Sequence, residues 1–393
     1  MKPTRSRNRP IPAAPPSGNG SIKKLLLITN RLPVSAEDPA SPFVLDFIRA
    51  LKNAGVETSV YTSHIGETGP DLGFPVIRFE WGETKNTLSE LSLTSWSSWQ
   101  KIKRHFVSGK ENLLEHLKAN NYDHILALWA LPSGWFAQQA YLQTGIPYSV
   151  WCLGSDINVW AHRPIAGRMV RDALADAAAL YADGDELAEK VKHISGRECR
   201  FLPSLRQFNY KMLPMPREKF FLYLGRIEKS KGVFDLVRAF AMLKQDIWDY
   251  RLLYIGDGSA TDKLKAEVEK LKLRGKVHIL GRAPVEEVIN YLQRAKALVI
   301  PTHSDSIPLV FGEALQTATP MVVTNVGDLG TLVRDNKLGL VVQKKSVRAL
   351  NDALVRSMMG SLDITVSARR LLDHFSPEMA VKTFLEKSGA AVK

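Results

Sequence analysis

Short apolar runs and amphipathic helical stretches alternate in two successive series along this chain, and that rhythm restricts the fold to parallel sheets wrapped by helices. The first series opens with an apolar run at 24–29, followed by 43–54, where Phe43, Phe47, Leu51 and Ala54 recur at helical spacing. Gly55 stops that helix, and 56–62 alternates as a second strand. The rhythm returns at 125–128, at 148–152 after Pro147, and at 178–182 before a helix opening near Asp185. A loop at 203–216 carrying Pro214 and Pro216 makes a hinge. Beyond it, strands are predicted at 220–224, 252–255, 277–280, 297–300, 321–324 and 339–342. Helices are predicted between them at 234–243, 262–273, 285–294 and 308–317, the second with Leu264, Val268 and Leu271 on one face. There is no short internal repeat and no coiled-coil heptad. The expected architecture is α/β, with two Rossmann-like doubly wound domains facing each other across a cleft. Open sheets of this kind take ligands at the carboxyl ends of their strands.

The length of 393 residues also favours two domains. The expected division is a basic tail at 1–20, an N-terminal domain at 21–210, a C-terminal domain at 211–372 and a closing helical segment at 373–393. Lys2, Arg5, Arg7 and Arg9 have the charge of a signal peptide, but they run into Pro10, Pro12, Pro15 and Pro16 with no apolar stretch behind them. Residues 1–20 are therefore read as a disordered tail. A hydrophobic fraction of 45% with 24% charged residues excludes collagen-like, disordered and disulfide-dense classes. Two cysteines, Cys152 and Cys199, fit a reducing compartment, and no apolar run is long enough to cross a bilayer. The expected location is the cytoplasm, with peripheral contact at the inner face of the membrane. Of the net charge of +13, residues 1–210 hold 24 basic and 20 acidic side chains, and the remainder holds 29 and 20. The C-terminal half is thus the basic one, a sign that suits nucleic acid, anionic lipid or a phosphorylated small ligand.

Two segments carry chemistry. In 221–232, FLYLGRIEKSKG, an apolar strand ends at Gly225 and a polar loop bears Arg226 and Lys231. A glycine lets backbone approach a ligand closely, and two cations in such a loop either clamp a diphosphate or are simply solvated. In 302–315, THSDSIPLVFGEAL, a helix is predicted to begin at Pro308. Its first amides, at Leu309 and Val310, form an anion site. Asp305 and Ser306 precede that helix and Glu313 lies inside it, placed either to bind sugar hydroxyls or to serve as cap and surface charge.

Together these segments resemble glycosyltransferase family 4, the retaining glycosyl transferases group 1 type with the two-domain GT-B architecture. The resemblance rests on Gly225 and Arg226 followed by Lys231 and Gly232, and on Asp305 and Glu313 separated by seven residues. Weaker matches follow in the family's order, at IGDG (255–258) and VHILGR (277–282). The resemblance implies that Arg226, Lys231 and Asp305 carry catalysis. It also implies that Gly225, Gly256, Arg282, Ser306, Leu309, Val310 and Glu313 complete the donor site. Glu313 is expected on the ribose and Asp305 near the donor sugar; the family usually has glutamate where Asp305 stands. WALPSG (129–134) and PYSVWCLGSDIN (147–158) resemble segments lining the acceptor side, so Gly154, Ser155 and Asp156 are expected there. Relatives often carry histidine where this chain has Leu128 and Leu153; that pocket is then more apolar, or the polar role passes to Asp156. Residues 375–384 resemble a segment that crosses back onto the N-terminal domain.

The implied function is retaining transfer of a sugar, from a UDP-sugar before a GDP-sugar, to a hydroxyl of a glycan, lipid-linked glycan or small acceptor. No metal, no cofactor and no nucleic-acid partner are implied. Two alternatives stay open, a sugar-nucleotide epimerase or phosphorylase on the same fold and a non-catalytic nucleotide-sugar-binding module. Asp183, Gly184 and Asp185 form an acid-x-acid triplet that holds metal in another glycosyltransferase architecture, but a helix follows at once and Asp185 reads better as its N-cap. Gly256 and Gly258 lack the third glycine of a dinucleotide fingerprint, Thr261 standing in its place. His303 reads as a local hydrogen-bonding group. The aromatic and basic stretch from Trp96 and Trp99 to Phe106 suits either an anionic membrane surface or a helix packing its tryptophans into the core.

Overall fold

The computed structural model describes residues 21–33, 42–64, 71–82, 95–208, 215–243, 249–360 and 362–388, together with Leu88. The 1–20 tail and the expected boundary at 210/211 lie outside the described residues. Two parallel sheets follow one another. The first contains β1 (Lys24–Ile28), β2 (Glu57–Ser63), β3 (Val76–Phe79), β4 (His124–Leu128), β5 (Tyr148–Cys152), β6 (Ala179–Ala182) and β7 (Arg200–Phe201). Its order is β3-β2-β1-β4-β5-β6-β7. The second contains β8 (Phe220–Leu224), β9 (Arg251–Ile255), β10 (Val277–Ile279), β11 (Ala297–Ile300), β12 (Met321–Thr324) and β13 (Gly339–Val342), in the order β10-β9-β8-β11-β12-β13. Both are doubly wound Rossmann-like sheets, the chain reversing direction across the sheet between β1 and β4 and again between β8 and β11.

The apolar runs explain the layering. Every residue of β4 and β5 is buried, as a strand covered by helices on both faces requires. Pairing in phase, as in Leu26 with Ile125 and Leu222 with Leu298, aligns the carboxyl ends of neighbouring strands, so the loops that leave them gather on one rim of each domain.

The closing segment ties the domains together. Ile364, Ala368, Leu371 and Phe375, in and around the helix Thr365–Leu372, pack into the C-terminal core. The helix Pro377–Ser388 then lies on the N-terminal domain, burying Ala380, Val381 and Phe384 beside Phe43 and Phe47. The Phe384 ring sits 6.1 Å from Phe47 and 6.0 Å from Tyr181, both edge-on. Ser388 is hydrogen-bonded to the Tyr181 hydroxyl at 2.8 Å.

Candidate active site in the interdomain cleft

Because β8 and β11 are adjacent, the loops leaving them meet at the reversal point of the C-terminal sheet. The His303 amide donates to the Ser230 carbonyl at 2.9 Å, and the Lys231 ammonium pairs with Asp305 at 2.5 Å. His303 itself is held by Asp235 at 2.7 Å, a local bond. Arg226 follows Gly225 at the end of β8, its guanidinium mostly exposed and paired with Glu228 at 2.8 Å. Gly256, ending β9, presses against this loop: a Cβ there would overlap the Gly225 carbonyl oxygen, and its φ of +133° admits little but glycine. Arg282 is exposed beyond Gly281, whose carbonyl accepts the Gly256 amide at 2.7 Å.

The helix predicted from Pro308 spans Leu309–Gln316, with Pro308 extended as its N-cap. Val310 packs on the C-terminal core, while Leu309 reaches the N-terminal cluster that holds Trp129 and Leu153. The first turn of this helix therefore opens on the seam between domains. Glu313, expected on a ribose, is 6% exposed, and its carboxylate lies 3.5 Å from Arg206. Burial raises its pKa, and the Arg206 charge opposes that rise. Arg206 had no signal in the sequence. It belongs to a strap between domains, in which Gln316 donates to the Arg206 carbonyl at 2.7 Å and accepts the Phe208 amide at 2.7 Å, while Asp46 accepts the Gln207 amide at 2.9 Å.

On the N-terminal side, Gly154 turns the chain with φ +106° and Ser155 is exposed. Asp156 is fully buried; its carboxylate accepts the Ala130 amide at 2.8 Å and the Leu153 amide at 3.3 Å. It fastens two rim loops to each other, and burial raises its pKa. Leu128 lies inside the core with Trp151, so it lines no pocket. A small cavity with room for about one water molecule lies at the ends of β1 and β2, lined by Asn30, Thr62, His105 and Ser133 and by the apolar Ile28, Phe79, Pro132 and Phe136. Ser133 donates to Asn30 at 2.6 Å. Thr62 Oγ1 and His105 Nδ1 are buried without a hydrogen-bond partner among the described residues. Desolvation lowers the His105 pKa to about 3, so its ring is neutral.

Asp183 directly follows β6 at the same rim. It is 8% exposed, its Oδ2 accepts a long 3.5 Å bond from Ser204, and burial together with the nearby charges of Asp156 and Asp305 pushes its pKa up to about 8. The helix Asp185–Ser195 follows with Gly184, not Asp185, at the N-cap, and no side chain of its own caps it. The cap comes from the other domain: Asp328 accepts the Glu186 amide at 3.1 Å with each oxygen. A Cβ on Gly184 would overlap Asp328 and the Ser306 hydroxyl, so the domains touch through this glycine. The stretch from Trp96 to Phe106 falls on the helix Trp96–Ala119 and divides: His105 and Phe106 join the aromatic cluster of Phe79 and Phe136, whereas Trp96 is 77% and Trp99 46% exposed. No described helix is long and apolar enough to cross a membrane.

With this geometry in hand, comparison with known proteins is direct. Residues 210–360 match the model of the family described as Glycosyl transferases group 1. TuaC of Bacillus subtilis (strain 168), a glycosyltransferase named for teichuronic acid biosynthesis, is 31% identical over 249 residues, 60% of this chain and 61% of the relative. The chain thus spans less than two thirds of that relative's length. Among solved structures, sucrose-phosphate synthase of Thermosynechococcus elongatus superposes with a TM-score of 0.76 at 20% identity, over 93% of this chain and 98% of the other. HepE of Anabaena, in its complex with UDP-glucose, gives 0.72 at 15% identity, over 92% and 98%. Residues 210–360 thus resemble the glycosyl transferases group 1, and the two facing Rossmann-like domains have the GT-B fold.

Proposed function

We propose that the chain is a retaining glycosyltransferase, moving a sugar from a nucleotide-diphosphate sugar to a hydroxyl of a glycan, lipid-linked glycan or small acceptor. The observation that carries this reading is the pairing of Lys231 with Asp305 at the reversal point of the C-terminal sheet, in the loop that leads to the Leu309 helix start on the seam with the other domain. Departure of the nucleotide leaves negative charge on the diphosphate. In this reading Lys231, Arg226 and the amides of Leu309 and Val310 stabilise that charge without a metal. Arg226 spends part of its five-donor fork on Glu228, so donors remain for a phosphate oxygen. Asp305, held by Lys231, faces the donor sugar, while Gly225 and Gly256 let the backbone come close to the nucleotide. Arg282 lies on the base side, and Glu313 orients the ribose site from within the helix. The acceptor is taken beside the loop of Gly154 and Ser155, which Asp156 fastens from within the core.

A UDP-sugar is favoured over a GDP-sugar, a preference that the HepE complex with UDP-glucose supports. We place the enzyme in the cytoplasm, with the exposed Trp96 and Trp99 and the basic residues of their helix resting on anionic lipid. The test is a thermal-shift panel of UDP-glucose, GDP-mannose and ADP-glucose, followed by product analysis with and without acceptor. At 100 times its dissociation constant the true donor adds about 2.7 kcal/mol of stability, and product forms only when acceptor is present. If no nucleotide sugar shifts the melting curve, the reading fails. Turnover without acceptor would transfer the assignment to an epimerase, and turnover requiring free phosphate to a phosphorylase.

A further inference from the structure

Two buried polar atoms at the domain seam have no hydrogen-bond partner among the described residues, Asp183 Oδ1 and Ser306 Oγ. They belong to opposite domains: Asp183 directly follows β6, Ser306 follows Asp305 in the loop after β11, and the Ser306 hydroxyl lies against Gly184, the residue next to Asp183. An unmade hydrogen bond in a buried place costs the full desolvation of the group, so a closed seam with two of them is an arrangement that lacks something. A single group that satisfies both would bond to a carboxyl and a hydroxyl, with Asp305 near enough to act on the charge of Asp183. A sugar hydroxyl, both donor and acceptor, has that chemistry.

We infer that Asp183 is a further donor-contacting residue, which with Ser306 grips one hydroxyl of the transferred sugar as the domains close and so makes closure depend on the sugar being present. The inference rests on the proposed glycosyltransferase reading. Asp183 is the only contact of this set supplied by the N-terminal domain, so an occupied donor site is felt there directly. The groups around Asp183 decide its proton. Asp156, from the Ser155–Asn158 turn, and Asp305, from the opposite loop, both carry its own sign; Cys152 at the end of β5 and the Ser204 hydroxyl complete the surroundings, and Lys231 is engaged by Asp305. The carboxyl is therefore neutral at pH 7 and donates its proton to the hydroxyl. Ionisation as the pH rises past about 8 removes that donor and sets two carboxylates against each other across the seam.

The test compares the full chain with Asp183→Ala, Asp183→Asn and Ser306→Ala. Each is titrated with the nucleotide sugar that the panel selects and separately with the matching nucleoside diphosphate. Asp183→Ala is expected to weaken the nucleotide sugar about tenfold, the scale of one hydrogen bond to a buried group, and to leave the nucleoside diphosphate unchanged. Ser306→Ala should weaken the nucleotide sugar in the same sense. Asp183→Asn keeps a donor and cannot ionise, so its affinity should stay level between pH 7 and 9 where that of the wild type falls. Nucleotide-sugar affinity within twofold of wild type in Asp183→Ala overturns the inference and leaves the function standing. Equal loss for both ligands, or a pH profile of Asp183→Asn identical to wild type, overturns it as well, since a merely structural role predicts them. Failure of the wild type to bind any nucleotide sugar would instead strike the function itself.

Discussion

Replacing Lys231 with alanine is expected to lower turnover on a nucleotide-sugar donor by about a hundredfold to a thousandfold while the fold persists. Its ammonium is held 2.5 Å from Asp305 in a place where both side chains are about one-fifth exposed, so its charge is only partly screened by water. The loss has two parts: the departing diphosphate keeps no cation at that position, and Asp305 is left as an unpaired, largely buried carboxylate beside Asp183. Arg226→Ala should cost less, because its guanidinium side chain is 70% exposed and its contribution is diluted by solvent. Steady-state kinetics on both variants, with circular dichroism to verify the fold, checks this ordering. Near-normal turnover in Lys231→Ala would remove that residue from the reaction.

Phe384→Ala is expected to destabilise the protein by about 3–5 kcal/mol, the usual cost of emptying a fully buried aromatic site. Phe384 is 0% exposed and stands among Phe47, His124 and Tyr181, with ring separations of 6.1, 5.9 and 6.0 Å. None of these neighbours can collapse into the gap, since each is fixed by the sheet or by the helix Pro42–Asn53. Because the helix Pro377–Ser388 is also the second covalent crossing between domains, the same change should loosen the cleft and raise the KM for donor. A urea titration reads the first effect and initial rates read the second. An unchanged midpoint would mean that the crossing helix contributes no stability.

How far the sequence spoke depended on whether a feature was local. Strands covered on both faces announce themselves as unbroken apolar runs, as at Leu25 to Ile28 or Ala297 to Ile300, and the helix after Pro308 was legible from its proline and its apolar spacing. The short edge strands Val76–Phe79 and Arg200–Phe201 were not, since a few residues at a sheet margin carry too little period to distinguish them from loop. The meeting of Lys231 with Asp305 was within reach, because adjacent strands bring their loops together. The partners of Glu313 and of the Asp185–Ser195 helix were out of reach: Arg206 and Asp328 arrive from other elements, and nothing near Glu313 or Asp185 in the chain names them. Asp183 was visible only as half of a metal-like triplet. Its burial at a seam between two domains is a property of their packing, and no spacing along the chain encodes it.

The most direct test of the central claim is a crystal structure of the chain grown with UDP, or with the nucleoside diphosphate that the panel selects. The account predicts diphosphate density between Lys231, Arg226 and the amides of Leu309 and Val310, with the N-terminal domain closed over it. Density for the nucleotide on any other surface, with the Lys231–Asp305 loops left empty, would contradict it.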